Sequence, residues 1–189
     1  MIRIALVGEI GSGKSYYAKL FGYPVFNADR EVAKIYETNK YCFNQIKKKF
    51  PKFFLKFPLK KEELVRCILA NKNNIKEIIK IVHPLVKKKM NFFIKKHKNK
   101  KIVILDIPLF LENKLNKKND IIIFIKSSKR NIVKRLTKRE SYNKKLINKF
   151  KKIQWKSEIK KKNSSITINN NFNRKKALKD IKNILKKII

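Results

Sequence analysis

The octapeptide Gly8-Glu9-Ile10-Gly11-Ser12-Gly13-Lys14-Ser15 decides how this sequence is interpreted, because it fits the pattern G-x-x-x-x-G-K-[ST] without a gap. The run before it, Ile2 to Val7, is apolar and rich in β-branched residues, which is typical of a buried strand. The residues after it, Tyr16 to Phe21, are typical of a helix that ends at Gly22. Strand, glycine-rich loop and helix in this order are the context of a phosphate-binding loop.

The residue types in this loop suit a nucleoside triphosphate. Gly11 and Gly13 let successive backbone N–H groups turn toward one small volume, and the following helix adds the positive end of its dipole. Lys14 is long enough to reach the β- and γ-phosphates, and the Ser15 hydroxyl is a ligand for Mg²⁺ in such loops. A chance glycine turn is the alternative, but the motif and both flanks agree, so we predict an NTP-binding site.

Length and composition limit the class of protein. At 189 residues the chain is expected to form one domain with a core of its own. No run of 18 apolar residues occurs, and the strand-like start predicts neither a signal peptide nor a membrane span. Cys42 and Cys67 lack the spacing of metal ligands, so we expect free thiols in a reducing cytoplasm.

The formal net charge of +38 has two explanations. A nucleic-acid-binding protein would need a basic surface of this kind. Compositional drift toward AT-rich codons explains the same charge, because Lys, Asn and Ile are enriched along the whole chain without a regular register of aromatic residues. We favour drift and expect no specific nucleic-acid partner, although a basic surface would attract polyphosphates in a salt-dependent way.

A second strand is predicted from Tyr23 to Phe26, with Asp29 just beyond its carboxyl end. Ligands of open α/β sheets bind at that end of the strands, so Asp29 is a candidate catalytic residue. Because Arg30 to Tyr36 has a helical pattern, Asp29 is also placed to cap that helix. The pattern alone leaves the two roles open, and they are compatible.

Helices dominate the middle of the chain. The pattern predicts an irregular helical insert over residues 37 to 60, then helices from Leu59 to Leu69 and from Ile75 to Lys96. Pro84 is expected to interrupt or kink the last helix. By pattern, the neighbouring His83 is more often a surface or packed residue than a functional one. Aromatic residues of the insert form either a small core, which we favour, or the wall of a ligand pocket; they are Tyr41, Phe43, Phe50, Phe53, Phe54 and Phe57.

Further apolar strands complete the pattern of a parallel sheet. Lys101 to Asp106 and Asp120 to Ile125 are strand-like. With the strand before the loop they make three long apolar strands separated by helical stretches, which predicts a parallel sheet with right-handed crossovers. Asp106 ends its strand as the carboxylate of a Walker B motif does, and it is therefore placed to reach toward Mg²⁺. A short strand over Ser165 to Ile168 and an amphipathic helix over Arg174 to Ile189 follow.

Arg130 to Lys152 is a long basic region with helical character. Arg135 and Arg139 are four residues apart, which would place both on one face of a helix. Guanidinium groups make bidentate contacts with phosphate and stabilise the charge that develops during phosphoryl transfer. Two solvated arginines are the alternative, and their being arginine among so many lysines is a modest indication of function.

Several of these stretches coincide with the motifs of one family, and the sequence resembles the dephospho-coenzyme A kinases over nearly its whole length. The phosphate-binding loop is shared by many kinases. A His-Pro-Leu motif followed at this distance by a Pro-Leu-x-x-Glu element is much more specific. The matching stretches are Gly8 to Ser15, Pro24 to Asp29, Leu59 to Leu64, His83 to Leu85, Asp106 to Glu112, Arg135 with Arg139, Gln154, and Ser164 to Asn170.

The resemblance implies an α/β P-loop NTPase fold of the nucleoside-monophosphate-kinase type, with a parallel five-stranded sheet flanked by helices, a helical substrate insert and a lid. The core would comprise residues 1–29, 100–135 and 160–189, the acceptor-binding insert about 30–98 and the lid about 136–158. The implied reaction uses ATP and Mg²⁺ to phosphorylate the 3′-hydroxyl of the ribose of dephospho-coenzyme A, which gives ADP and coenzyme A. We expect a cytoplasmic monomer or small homo-oligomer without a membrane partner.

The resemblance also implies a role for each matching residue. Asp29 would position or deprotonate the 3′-hydroxyl, because an alcohol is a poor nucleophile at neutral pH. Lys14 and Arg139 would neutralise the charge that moves with the phosphoryl group. The implied nucleotide-binding residues are Gly11, Ser12, Gly13, Lys14, Ser15, Tyr16, Arg135 and Asn170, the metal ligands are Ser15 and Asp106, and the acceptor-binding residues are Asp29, Lys61, His83, Pro108, Leu109 and Glu112.

Some positions depart from the family pattern. Glu9 stands in place of Gly, Asn27 in place of Asp, Lys61 in place of Arg, Ser165 in place of Asp and Tyr16 in place of Thr. Glu9 would repel the phosphates if it faced them, so we expect its side chain to turn outward or toward the acceptor site. Lys61 would offer a point charge in place of a bidentate contact. None of these departures removes a group that the chemistry requires.

Two other functions stay open on the residues alone. A different small-molecule or nucleotide kinase could share the scaffold, although the His-Pro-Leu and Pro-Leu-x-x-Glu elements argue against it. A nucleic-acid-binding protein would use the basic surface and bind oligonucleotides with a strong salt dependence. That function would leave the intact phosphate-binding loop unexplained.

Overall fold

The computed structural model describes residues 1–140 and 142–189 of the chain. It forms two compact units: a sheet unit of Met1–Asn27, His97–Tyr142 and Ile153–Ile189, and a helical unit of Ala28–Lys96 and Asn143–Lys152. The elements in chain order are β1 (Ile2–Gly8), α1 (Lys14–Leu20), β2 (Val25–Asn27), α2 (Ala28–Thr38), α3 (Lys40–Lys49), α4 (Lys61–Ala70), α5 (Asn74–Lys96), β3 (Ile102–Asp106), β4 (Ile121–Lys126), α6 (Lys129–Thr137), α7 (Lys144–Ile153), α8 (Ser157–Lys162), β5 (Ile166–Asn169) and α9 (Arg174–Ile188).

The sheet unit is built on five parallel strands in the order β2-β3-β1-β4-β5, which confirms the predicted fold class. β1 lies at the centre, with Ile4 beside both Ile104 of β3 and Ile121 of β4. Every predicted strand is present, although β2 begins at Val25 rather than at Tyr23. The central position of β1 places the loop that follows it at the middle of the carboxyl edge of the sheet.

A core between the sheet and helices α1 and α9 holds this loop in place. Side chains of a strand alternate between its two faces, and alternate residues of β1, β3 and β4 turn to this core. Because β1 and α1 are both fixed by it, the loop between them has a fixed start and a fixed end. The buried residues of the core are Ile4, Leu6, Tyr17, Ala18, Phe21, Ile102, Ile104, Ile123, Ile125, Ile168, Ala177, Ile181 and Ile184.

In the helical unit, α2, α3 and α4 pack against the long helix α5. α5 continues as one helix through Pro84, so the predicted interruption at this residue is wrong. A proline inside a helix removes one backbone hydrogen bond, and here the apolar packing on both sides of it keeps the helix intact. The buried residues of α5 are Ile75, Ile78, Val82, Val86 and Met90.

The aromatic residues after α2 form a small core rather than an open pocket wall. Phe43, Phe50 and Phe54 are buried, and the rings of Phe43 and Phe57 meet edge to face at 5.7 Å between centroids. Tyr41 is exposed and does not take part. The insert is therefore stabilised by its own apolar cluster.

The basic region after β4 contains two helices, α6 and α7, as its predicted helical character leads one to expect. The predicted lid, residues 136–158, includes residue 141, which lies outside the described residues.

Among the helices of residues 1–140 and 142–189, none combines the length and the apolar character that a bilayer crossing requires.

Candidate active site

The loop between β1 and α1 is shaped by hydrogen bonds to its own carbonyl groups. The Ser12 N–H donates to the Glu9 carbonyl at 3.1 Å, and Gly13 precedes α1 in the left-handed conformation with φ 101°. The Lys14 ammonium donates to the carbonyls of Gly8 at 3.1 Å and Glu9 at 2.9 Å, and the side chain is buried. The lysine is thus held across the loop, as a group that contacts phosphates must be.

Asn170 fixes the other side of the loop. Its side-chain amide donates to the Ser12 carbonyl at 2.8 Å, and its backbone N–H donates to the Lys126 carbonyl at 2.8 Å. A Cβ atom on Gly13 would overlap with this amide, so only glycine fits there. The structure therefore places Asn170, predicted to bind the nucleotide, in contact with the phosphate-binding loop itself.

Arg135 lies on α6 over the ring of Phe172, with 4.4 Å between the guanidinium carbon and the ring centroid. Burial lowers the pKa of Arg135, and the charge of the neighbouring Arg139 lowers it further. Arg139 follows α6, which ends at Thr137, and its N–H bonds to the Leu136 carbonyl three residues back. The prediction that both arginines share one helix face is therefore wrong, because the backbone turns before Arg139, although the two charges remain close enough to interact.

The carboxyl ends of β2 and β3 bring two polar residues together. The Asn27 side-chain amide donates to the Asp106 carboxylate at 2.7 Å, and these residues also lie in register across the strands. An Asp at position 27 would place two carboxylates in contact, whereas the amide is a donor for the buried Asp106.

Asp29 is exposed in the first turn of α2, and since α2 begins at Ala28 the predicted capping role is wrong.

Among the described residues no group of three or more His, Cys, Asp or Glu side chains is close enough to hold a metal ion. Mg²⁺ in kinases is held by one or two protein oxygens together with substrate phosphates, so such a cluster is not needed. Ser15, exposed on the first turn of α1, and the Asp106 carboxylate are oxygen donors of this kind. Their chemistry fits the predicted Mg²⁺ site.

The turn after β3 is tied to the segment before α8. The Glu112 carboxylate forms an ion pair with the Lys160 ammonium at 2.9 Å and accepts a hydrogen bond from the Trp155 N–H at 2.9 Å. The Gln154 amide donates to the Pro108 carbonyl at 3.4 Å. Glu112, predicted to bind the acceptor, therefore already has two donors from its own chain.

The remaining predicted residues have separate surroundings. Leu109 is half-buried in the turn after β3, and Tyr16 on α1 meets Tyr17 edge to face at 6.0 Å between centroids. Lys61 is exposed as the first residue of α4. His83 is half-buried on α5, and its Nε2 is buried without a hydrogen-bond partner in the part of the chain that the structure describes.

Burial lowers the pKa of His83, and the charge of Lys87, one helical turn away, lowers it further. The imidazole is therefore neutral near pH 7, in a form that donates from one ring nitrogen and accepts at the other. A neutral imidazole can form hydrogen bonds with a polar substrate without adding charge to the binding site.

The structure brings together most of the predicted nucleotide-binding residues, since Asn170 and Arg135 both lie in the sheet unit with the loop. Asp29, Lys61 and His83 belong to the helical unit. Sequence reasoning missed Lys160 and Phe172. Lys160 lies within a run of lysines, and no neighbouring residue indicates that it is buried. Phe172 lies within a run of asparagines, and no neighbouring residue indicates that its ring contacts an arginine.

A sequence model of the dephospho-CoA kinase family matches residues 2–176. The chain belongs to the dephospho-CoA kinase family. It is 31% identical over 187 residues to the dephospho-CoA kinase of Wolbachia pipientis wMel, which covers 96% of this chain and 95% of the relative. With the dephospho-CoA kinase of Fusobacterium nucleatum it shares 29% identity over 94% of each chain.

Solved structures support the same fold. The dephospho-CoA kinase from Campylobacter jejuni superposes with a TM-score of 0.62 at 23% identity, covering 98% of this chain and 96% of the other. A Thermus thermophilus protein superposes with a TM-score of 0.78 at 24% identity, covering 100% and 98%. The reaction of the dephospho-CoA kinase family is the ATP-dependent phosphorylation of dephospho-CoA in CoA biosynthesis, so this chain is a kinase.

Proposed function

We propose that the chain transfers the γ-phosphoryl group of ATP to the 3′-hydroxyl of the ribose of dephospho-CoA, with ADP and CoA as products. The observation that carries this proposal is the phosphate-binding loop with Lys14 held across it, in a chain that belongs to the dephospho-CoA kinase family. The buried lysine and the loop amides supply a site for a triphosphate, and the family supplies the acceptor.

On the donor side, the ATP phosphates lie along residues 11–15 and the N-terminus of α1. Lys14 exchanges one of its carbonyl partners for phosphate oxygens, and Arg139, supported by Arg135, neutralises the charge that moves from ATP toward the acceptor. Tyr16 and Asn170 contact the nucleotide. The positive charge of Arg135 is already partly desolvated, which strengthens its attraction for a phosphate.

On the acceptor side, Asp29 accepts the proton of the 3′-hydroxyl as the new P–O bond forms. Asp29 lies exposed in the first turn of α2, and an ionised carboxylate is the form that a base requires. His83 binds the acceptor as a neutral hydrogen-bonding group, and Lys61 supplies a positive charge. Pro108, Leu109 and Glu112 line the acceptor site; Glu112 also holds Lys160 in place.

Bound Mg²⁺ would neutralise the negative charge of the phosphates during transfer. Ser15 and Asp106 are the residues that would hold it. Asn27 would orient Asp106, because its side-chain amide donates a hydrogen bond to one oxygen of the carboxylate.

We also propose a core of residues 1–29, 100–135 and 160–189, an acceptor-binding insert of about 30–98 and a lid of about 136–158. The cytoplasm is the proposed compartment, since both cysteines are buried free thiols. Burial raises the pKa of Cys42 to about 11, so this thiol is inert near neutral pH. The chain acts as a monomer or small homo-oligomer and needs neither a nucleic-acid nor a membrane partner.

The test of the proposed chemistry is the substitution Asp29→Asn. We expect kcat to fall about a hundredfold or more, because general-base catalysis contributes at least that much, while the Kd for ATP stays within about twofold. Glu31→Gln is the matched control, since it removes a carboxylate from the same helical turn, where Glu31 pairs only with the exposed Lys34 among the ion pairs of the described residues. Full activity of the Asp29 variant would overturn its assignment as the base.

A further inference from the structure

Glu9 ties the phosphate-binding loop to a distant segment of the chain. Its carboxylate accepts a hydrogen bond from the Ser157 hydroxyl at 2.6 Å, and both residues are half-buried. Its backbone carbonyl accepts hydrogen bonds from the Ser12 N–H and the Lys14 ammonium. One residue therefore connects the lysine of the loop to the first residue of α8.

The segment that Glu9 contacts is itself firmly held. Residues 155–160, called the α8 anchor here, are bound by Glu112 at the Trp155 N–H and at the Lys160 ammonium. The Lys160 side chain is only 2% exposed in this ion pair. Because Glu112 holds the anchor at Trp155 and Lys160, the contact between Glu9 and Ser157 ties the loop to a segment that has its own contacts in the sheet unit.

The contact between Glu9 and Ser157 also engages a carboxylate that lies next to the phosphate-binding loop. A free Glu9 side chain could turn toward the phosphates and repel them. The hydrogen bond from the Ser157 hydroxyl engages the Glu9 carboxylate and holds it beside the first residue of α8.

We propose that Glu9 is a positioning residue that sets the affinity for ATP by fixing the phosphate-binding loop to the α8 anchor through Ser157. The inference rests on the placement of ATP proposed above. The apparent affinity for ATP is the intrinsic affinity multiplied by the fraction of chains whose loop is in the binding-competent form. Loss of the hydrogen bond between Ser157 and Glu9 lowers this fraction, so it weakens ATP binding without changing the phosphoryl-transfer step. The effect therefore lies in the Kd and KM for ATP and not in kcat at saturation.

The alternative is that the hydrogen bond between Ser157 and Glu9 merely stabilises the fold. The two roles predict different results for the same variants. A contact that only stabilises the fold contributes to the free energy of unfolding and leaves ATP binding unchanged. A positioning residue changes ATP affinity, and its effect depends on Ser157 being present, which a double-mutant cycle detects.

The experiment compares Glu9→Ala, Ser157→Ala and the double variant with the wild-type chain. ATP binding is followed by the fluorescence of Trp155, the chain's single tryptophan, and by calorimetry, and thermal melting is recorded in parallel. We expect each single variant to raise the Kd for ATP about five- to tenfold, as a partly exposed hydrogen bond to a charged group would, and the double variant to add no more than about twofold.

Two further variants sharpen the test. Glu9→Gln keeps an oxygen acceptor for Ser157 and should stay within about twofold of the wild-type Kd. Glu158→Ala removes an exposed carboxylate from the same helix and should leave the Kd unchanged. Unchanged Kd values in the Glu9→Ala and Ser157→Ala variants, or effects that simply add, would overturn the proposal. Wild-type chain that binds ATP but does not phosphorylate dephospho-CoA would contradict the proposed function, and the Kd comparison would still decide the role of Glu9.

Discussion

The ion pair between Lys160 and Glu112 gives the sharpest prediction about stability. The two side chains are 2% and 8% exposed and meet at 2.9 Å. Lys160→Met keeps the apolar stem of the side chain but leaves the Glu112 carboxylate with only the Trp155 N–H as a donor among the described residues. Breaking a buried pair on one side costs about 3–5 kcal/mol, and since the Trp155 N–H remains we expect the lower end, about 3 kcal/mol.

The assay is thermal unfolding by calorimetry, checked by urea denaturation. A domain of this size loses about 2–4 °C in Tm for each kcal/mol, so we expect Lys160→Met to melt about 6–12 °C below the wild-type chain. Lys161→Met is the matched control, because Lys161 is exposed on the same helix and should change stability by less than about 0.5 kcal/mol. Equal melting temperatures for the two variants would refute the reasoning.

Three further predictions concern single residues of the site. The pKa of His83 is lowered below its ordinary 6.5, so just below that pH the folded chain binds fewer protons than the unfolded chain, and its free energy of unfolding decreases as the pH falls. In urea titrations at pH 5 to 7, His83→Gln should make this decrease smaller, and an unchanged dependence on pH would contradict the prediction. Gly13→Ala should displace Asn170 and weaken ATP binding about tenfold or more in calorimetry, whereas a wild-type Kd would show that the contact does not matter. Asn27→Asp should place a second carboxylate against Asp106 and lower the Tm by about 2–4 °C at pH 8, and by less at pH 4.5. A decrease in Tm of the same size at both pH values would contradict this prediction.

Local sequence patterns predicted the elements that build the site. The apolar run before the loop, the glycine motif and the strand that ends at Asp106 each combine a composition with a fixed spacing, and the structure has β1, α1 and β3 where these patterns place them. The order of the motifs also predicted the family, which the match over residues 2–176 confirms.

Contacts between residues far apart in the sequence could not be predicted in this way. The partner of Glu9 is 148 positions away at Ser157, and the partner of Glu112 is one lysine among the many in a basic chain. Nothing in the neighbouring residues marks Lys160 for burial, because burial depends on how α8 packs in the folded chain. The end of α6 before Arg139 was missed for a related reason: the local pattern favours a helix, and a turn closed by the Leu136 carbonyl ends it.

The identity of the product is the most direct test of the proposed reaction. The purified chain is incubated with ATP, Mg²⁺ and dephospho-CoA, and the products are analysed by phosphorus NMR and mass spectrometry. We expect CoA, with its new phosphomonoester on the ribose 3′-oxygen, in an amount equal to the ADP formed. ATP turnover without CoA, or a phosphate placed on another hydroxyl, would contradict it.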